Sequence, residues 1–202
     1  MSERPLTDPA LDPRLGGRRA FLTTIATVGA GALAGCLGDD DGVPEPIAIA
    51  DDHYCPMCNM VVVNHPGPAG HAFYPEEAEA RAEQDGVVPY CASTCAYEHY
   101  FEKEEHGHEP IVLYLTDYSK VDWEVYEQGG QLFITAHFAA EDHTAATDLE
   151  FVVDSDVLGA MGESAIGFSD AADADAFAEE YGGGRYDHDS ITRELIESLG
   201  FV

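Results

Sequence analysis

The chain has 202 residues, with 39 Asp and Glu against 9 Lys and Arg, for a formal net charge of −30. That balance excludes nucleic-acid binding, which needs a basic face to replace phosphate counterions, and argues against docking on anionic lipid by charge alone. With 45% hydrophobic and 10% aromatic residues the chain is too apolar for a disordered acidic tail, and its length allows one or two small domains. Arg4, Arg14, Arg18 and Arg19 all precede Cys36, after which only 5 basic residues face 36 acidic ones. Such a surface suits molar salt, where the Debye length shrinks to ~3 Å and self-repulsion is screened. The composition points to a halophilic source.

Arg18-Arg19 precede an uncharged Ala/Gly/Thr-rich run that ends at Leu33-Ala34-Gly35-Cys36. The run is shorter than the ~20 residues a membrane span needs. Paired arginines, a short apolar stretch and a terminal cysteine read as a twin-arginine lipoprotein signal over residues 1–35, with Cys36 the lipidated residue. Residues 36–50 then form a flexible tether, whose Gly/Pro/Asp stretch Leu37–Pro46 has nothing with which to build a core.

The folded part starts near Ile47. Met60–Asn64 and His71–Tyr74 are short apolar runs, and Pro75–Glu83 has the proline and early acids of a helix start. Val87–Tyr90 reads as a strand and Ser93–Lys103 as a helix capped by Ser93 or Thr94. Ile111–Thr116, Gln131–Phe138 and Leu149–Val153 have strand composition. Ser169 or Asp170 caps a helix that runs through Tyr181 and stops at Gly182-Gly183-Gly184, and Ser190–Leu199 is a last helix. Short strands and helices without βαβ regularity indicate an α+β fold.

The chemistry-bearing residues gather in Tyr54-Cys55-Pro56-Met57-Cys58-Asn59-Met60. Cys55 and Cys58 form a C-x-x-C, and Met57 and Met60 interleave thioethers with the thiols. Together with Met161 they account for every methionine beyond the initiator. Soft thiolate and thioether donors select Cu(I), whose filled d-shell accepts two- to four-fold coordination. Met161 sits in a Gly-Ala-Met-Gly loop that has no helical packing to bury it. A second pair, Cys91 and Cys95, opens a helix whose N-terminus lowers thiol pKa values. With Cys55 and Cys58 it suits a four-cysteine zinc site, while export permits a disulfide instead. His99, His106 and His108 add possible nitrogen donors. A thiol–disulfide oxidoreductase using Cys55 and Cys58, and a zinc-stabilised interaction module using all four cysteines, are the rival functional readings.

Cys55–Val62 followed by His65-Pro66-Gly67-Pro68, then Tyr114–Tyr118, Val153–Gly162 and Ala165–Tyr181, resembles the nitrous-oxide reductase accessory lipoprotein (NosL) family, in a haloarchaeal form. The resemblance implies two small ββαβ-like units, distantly similar to treble-clef and organomercurial-lyase modules, divided here into residues 51–110 and 111–202. It implies a Cu(I) chaperone, not an enzyme, anchored by lipid outside the cytoplasmic membrane. Its partners would be nitrous-oxide reductase or the membrane assembly and transporter complex that matures it. The metal ligands implied are Cys58 and Met60 with Cys55 beside them, and Met161; Met57, Cys91 and Cys95 are secondary candidates. Asn59 replaces the family's usual Gly and can take the same left-handed turn. Cys91 and Cys95 depart from the family pattern, as does a longer Asp122–Asp148 connection carrying His137 and His143.

Overall fold

Short apolar stretches become strands of three small sheets in a computed structural model that describes residues 42–76, 78 and 86–200. The signal, Cys36, the tether up to residue 41 and most of the predicted Pro75–Glu83 helix lie outside the described residues. Among those described, no helix is long and apolar enough to cross a membrane.

The fold is α+β. Strand β1 (Gly70–Phe73) pairs antiparallel with β2 (Val87–Tyr90) and, on its other side, with β3 (Val112–Thr116); helix α1 (Ser93–Glu105) links β2 to β3. Further along, β7 (Glu150–Val153) pairs antiparallel with β10 (Ile166–Phe168) and β11 (Gly184–Asp187), and α2 (Ala171–Tyr181) links those two. Both are ββαβ motifs with the first strand in the middle.

The long connection adds three strands. It forms the hairpin β4 (Val125–Gln128) and β5 (Gln131–Ile134), then β6 (His143–Ala145), which pairs with β3. Strand β5 pairs in parallel with β8 (Val157–Gly159), which turns into β9 (Gly162–Glu163). The chain closes with α3 (Arg193–Ser198).

Strand β7 explains the packing. Phe151 and Val153 enter a core shared with β1–β3, α1 and α3, whereas Val152 faces Phe168, Ala174 and Phe177 in a second core. A strand buried on both faces must be apolar without alternation, as Phe151-Val152-Val153 is. Where β3 ends, the fully buried Asp117 carboxylate accepts from the backbone N–H groups of Ser119 and Ser169 and from the Thr144 hydroxyl. Burial opposes its charge, but those hydrogen bonds outweigh burial and hold its pKa below the usual value. The carboxylate thus ties the end of the first motif to the segment entering α2.

Helix α2 begins at Asp170, whose side chain accepts from Ala172 N–H, and ends at Gly182 with φ 77°, as the sequence indicates. Helix α1 differs from expectation. Neither Ser93 nor Thr94 is its cap: the N-cap is Ala92, and Ser93 instead accepts the Ala165 N–H at 2.9 Å. The last helix begins three residues later than predicted because Thr192 caps it through Leu195 N–H. The predicted strand Gln131–Phe138 stops at Ile134, and the exposed, polar β4 has no clear apolar pattern.

Candidate metal centre

The C-x-x-C segment folds as a tight knuckle. Tyr54 bridges Val61, Cys55 N–H donates to Met60 O at 2.9 Å, and Asn59 N–H donates to Cys55 O at 2.8 Å. That turn requires a left-handed residue, and Asn59 supplies it at φ 59°, a conformation its short polar side chain tolerates. The knuckle therefore keeps its shape without the glycine.

The second thiol pair comes from a different element. Cys91 follows β2 directly and Cys95 lies one turn later, in α1. Cys91 Sγ lies 3.7 Å from Cys95 Sγ and 3.3 Å from Cys58 Sγ. All four sulfurs lie within 4.8 Å of one another, and all four residues are free cysteines, so no disulfide joins them. Cys55, Cys91 and Cys95 are wholly buried, while Cys58 is partly exposed.

The thiols are electrostatically unequal. Hydrogen bonds from the Cys91 and Cys95 thiols, helped by backbone N–H groups of Cys91 and Cys58, hold Cys55 far below the ordinary thiol range against the opposing effect of burial. Cys91 and Cys95 are pushed up, first by donating to the Cys55 sulfur, and Cys58 is raised chiefly by burial. The expectation that the helix N-terminus lowers Cys91 and Cys95 is thus reversed. The negative charge settles on the knuckle, where several donors converge on one sulfur. Metal binding must expel the remaining thiol protons, so it competes with acid.

The methionines border the same core. Met57, Met60 and Met161 are each partly buried against the cluster that contains Cys55, Cys91 and Cys95. Met161 occupies the two-residue turn between β8 and β9, where Gly159 pairs with Gly162. Two contacts fix that hairpin. A Cβ on Gly159 would meet Gly67 O at 2.6 Å and Pro68 Cδ at 3.1 Å, so only glycine lets the hairpin lie on the loop following the knuckle. The Ala165–Ser93 hydrogen bond ties its far end beside the second cysteine pair.

The histidines do not join the thiols. The candidate metal-binding group among the described residues contains only the four cysteines. His99 is bonded through Nδ1 to the Tyr90 hydroxyl at 2.7 Å, and His106 Nδ1 meets Glu102 O at 2.8 Å. His143 is buried elsewhere, its ring 5.1 Å from that of buried His71. The sequence gives no hint of this pair, whose members are 72 positions apart on strands that flank β3.

Comparison with known proteins places the site in a wider group. A family model described as NosL matches residues 46–196. The chain is similar to the copper-binding lipoprotein NosL of Stutzerimonas stutzeri, with 29% identity over 178 residues, covering 87% of this chain and 82% of that one. It is also similar to the crystal structure of the copper chaperone NosL from Shewanella denitrificans, with a TM-score of 0.58 and 28% identity, covering 74% of this chain and 97% of that one.

Proposed function

Since the chain belongs to the NosL family, we propose that it is a Cu(I) metallochaperone, tethered by lipid at Cys36 to the outer face of the cytoplasmic membrane. It delivers copper to nitrous-oxide reductase, or to the membrane assembly that builds that enzyme's copper centres. The observation that carries this reading is the cluster of four free thiols in a core against which all three of these methionines are packed. Names of the matched proteins, a copper-binding lipoprotein and a copper chaperone, support it.

The cargo ion is taken up by Cys58 and Met60, with Met161 presented by the β8–β9 hairpin; Cys55 stands beside them, and Met57, Cys91 and Cys95 complete the sulfur-rich surroundings. Cys58 is the accessible thiol, so the ion enters and leaves there. Thioethers are neutral and hold Cu(I) without adding charge, which keeps the ion exchangeable. A donor of the partner protein attacks through an open coordination position before the last bond to Cys58 breaks. The work is ligand exchange, with no bond of a substrate made or broken.

Anaerobic Cu(I) titration of the purified protein against a competing chelator tests this. One tightly held Cu(I) per chain is expected, with at least a tenfold weakening in Cys58→Ser. Failure of the native protein to compete for Cu(I) would refute the assignment.

A further inference from the structure

We propose that His71 and His143 form a second copper site, a two-imidazole seat for Cu(I) on the face of the sheet opposite the sulfur cluster. Strand alternation sets that face. Ala72, Leu113 and Leu115 enter the core that contains Cys55, so their neighbours His71 and Tyr114 point to the other side. His71 pairs in register with Tyr114, and His143 with Thr116, which brings the two rings together across β3 with centroids 5.1 Å apart.

The pair has the marks of a ligand site. His71 is 0% and His143 3% exposed, yet His71 Nδ1 and both ring nitrogens of His143 make no hydrogen bond. Buried polar atoms left in that state are costly, and native folds supply nearly all of them with a partner. The Ala139 backbone lies near enough to His143 to favour a proton there, without closing a hydrogen bond. That leaves the second nitrogen for an ion, as in metal sites whose histidine turns its other nitrogen to the main chain. Tyr114 lies against His71 with centroids 5.3 Å apart, and Phe73 meets it edge-on at 5.8 Å, so the surroundings are aromatic and dry.

The donor count selects the ion. No third His, Cys, Asp or Glu among the described residues joins the two rings. Divalent ions complete shells of four or more donors, whereas the filled d-shell of Cu(I) accepts two. Two metal–nitrogen bonds of ~2.0 Å in a line set the centroids ~6 Å apart, so the rings part by about an ångström to admit the ion.

Admission is coupled to the segment that covers this face. His71 Nε2 accepts the Ile47 N–H at 3.1 Å, the Tyr114 hydroxyl donates to Pro44 O, and Ile49 N–H donates to Phe138 O. While Ile47 is bound, the neutral His71 ring carries its proton on Nδ1. Copper at Nδ1 requires that proton to move through solvent to Nε2, which turns an acceptor into a donor and breaks the Ile47 bond. The ring stays neutral and copper stays Cu(I), so no electron moves. One movement both uncovers the pair and frees its lone pair, and by reciprocity the docked segment weakens copper binding there. Thiolates neutralise the ion's charge and imidazoles do not, so the sulfur site fills first and the pair takes the second ion.

The test is an anaerobic Cu(I) titration of the full-length protein. The second equivalent should be held at least tenfold more weakly than the first. X-ray absorption at the copper edge should show nitrogen neighbours only after that second equivalent. Hydrogen exchange at the Ile47 and Ile49 amides should quicken at least tenfold at the same step. His143→Phe should bind one equivalent with unchanged affinity and lose both signals. The nitrogen shell and the amide exchange are read on the native protein, so they decide the matter even if the variant fails to fold. Saturation at one sulfur-bound equivalent, a second ion bound by sulfur alone, or amide exchange that ignores the second ion would overturn the proposal. Nitrogen neighbours and faster exchange already at the first equivalent would support the pair and count instead against the sulfur-site reading.

Discussion

The two ββαβ motifs share a topology, yet each solves the burial of its core differently. The second relies on hydrocarbon: Val152, Ile166, Phe168, Ala174 and Phe177 pack together, with Phe168 and Phe177 rings 5.3 Å apart. The first places four thiols where its helix begins, next to a knuckle too short to bury much apolar surface. Helix α2 has an aspartate cap; α1 has alanine and a sulfur cage. One scaffold thus serves as a packed support and, repeated, as a mount for soft ligands.

The largest expected effect breaks the supporting motif alone. Phe177 is 2% exposed and contacts Trp123, Phe168 and Tyr181, so Phe177→Ala should cost about 3–5 kcal/mol. Denaturant unfolding should show that cost to be the same with and without bound metal. A metal-dependent cost would mean that the two motifs are not energetically distinct in this way.

Acid should act on the other motif. His71 on β1 and His143 on β6 are buried, and burial drives their pKa values down to about 3 and about 4; the charges of His143 and His53 lower His71 further. The native state keeps both rings neutral, while the unfolded chain takes up protons below about 6.5. Stability is therefore complete above pH 6.5 and falls as pH drops toward 4, by up to about 1.4 kcal/mol per pH unit for each histidine. His71 also accepts the Ile47 N–H, so its protonation frees the segment that covers the sheet. Thermal melts from pH 7 to pH 4 should slope downward, and His143→Phe should flatten them; an unchanged slope would remove the histidines from the account.

The smallest effect compares the helix starts. Asp170→Ala removes the side chain that accepts the Ala172 N–H at the N-terminus of α2 and should cost about 1 kcal/mol by chemical denaturation. No equivalent residue exists to be removed from α1. An undetectable loss at Asp170 would blur the contrast between the capped and the thiol-mounted helix.

Elements with local signals were legible in the sequence. The span of α2 follows from Asp170 and Gly182, β2 from Val87–Tyr90, and the knuckle's left-handed turn from Asn59. Both cysteine pairs and the methionines were visible as soft donors, but their spacing left zinc, copper and disulfide open. What spacing does not carry is partner choice over long separations. Ser93 reads as a cap until Ala165, far along the chain, claims its hydroxyl. His143 has no role legible in the sequence until β6 joins β3 and brings it against His71. The lowered thiol was expected at the helix start, whereas convergent donors place it at Cys55.

X-ray absorption of the Cu(I)-loaded full-length protein at the copper edge tests the central claim most directly. The account predicts a Cu(I) edge with a sulfur-only first shell that includes thioether distances, and loss of part of that shell in Met60→Leu. A shell of nitrogen and oxygen donors, unchanged by removal of Met60 or Cys58, would contradict it.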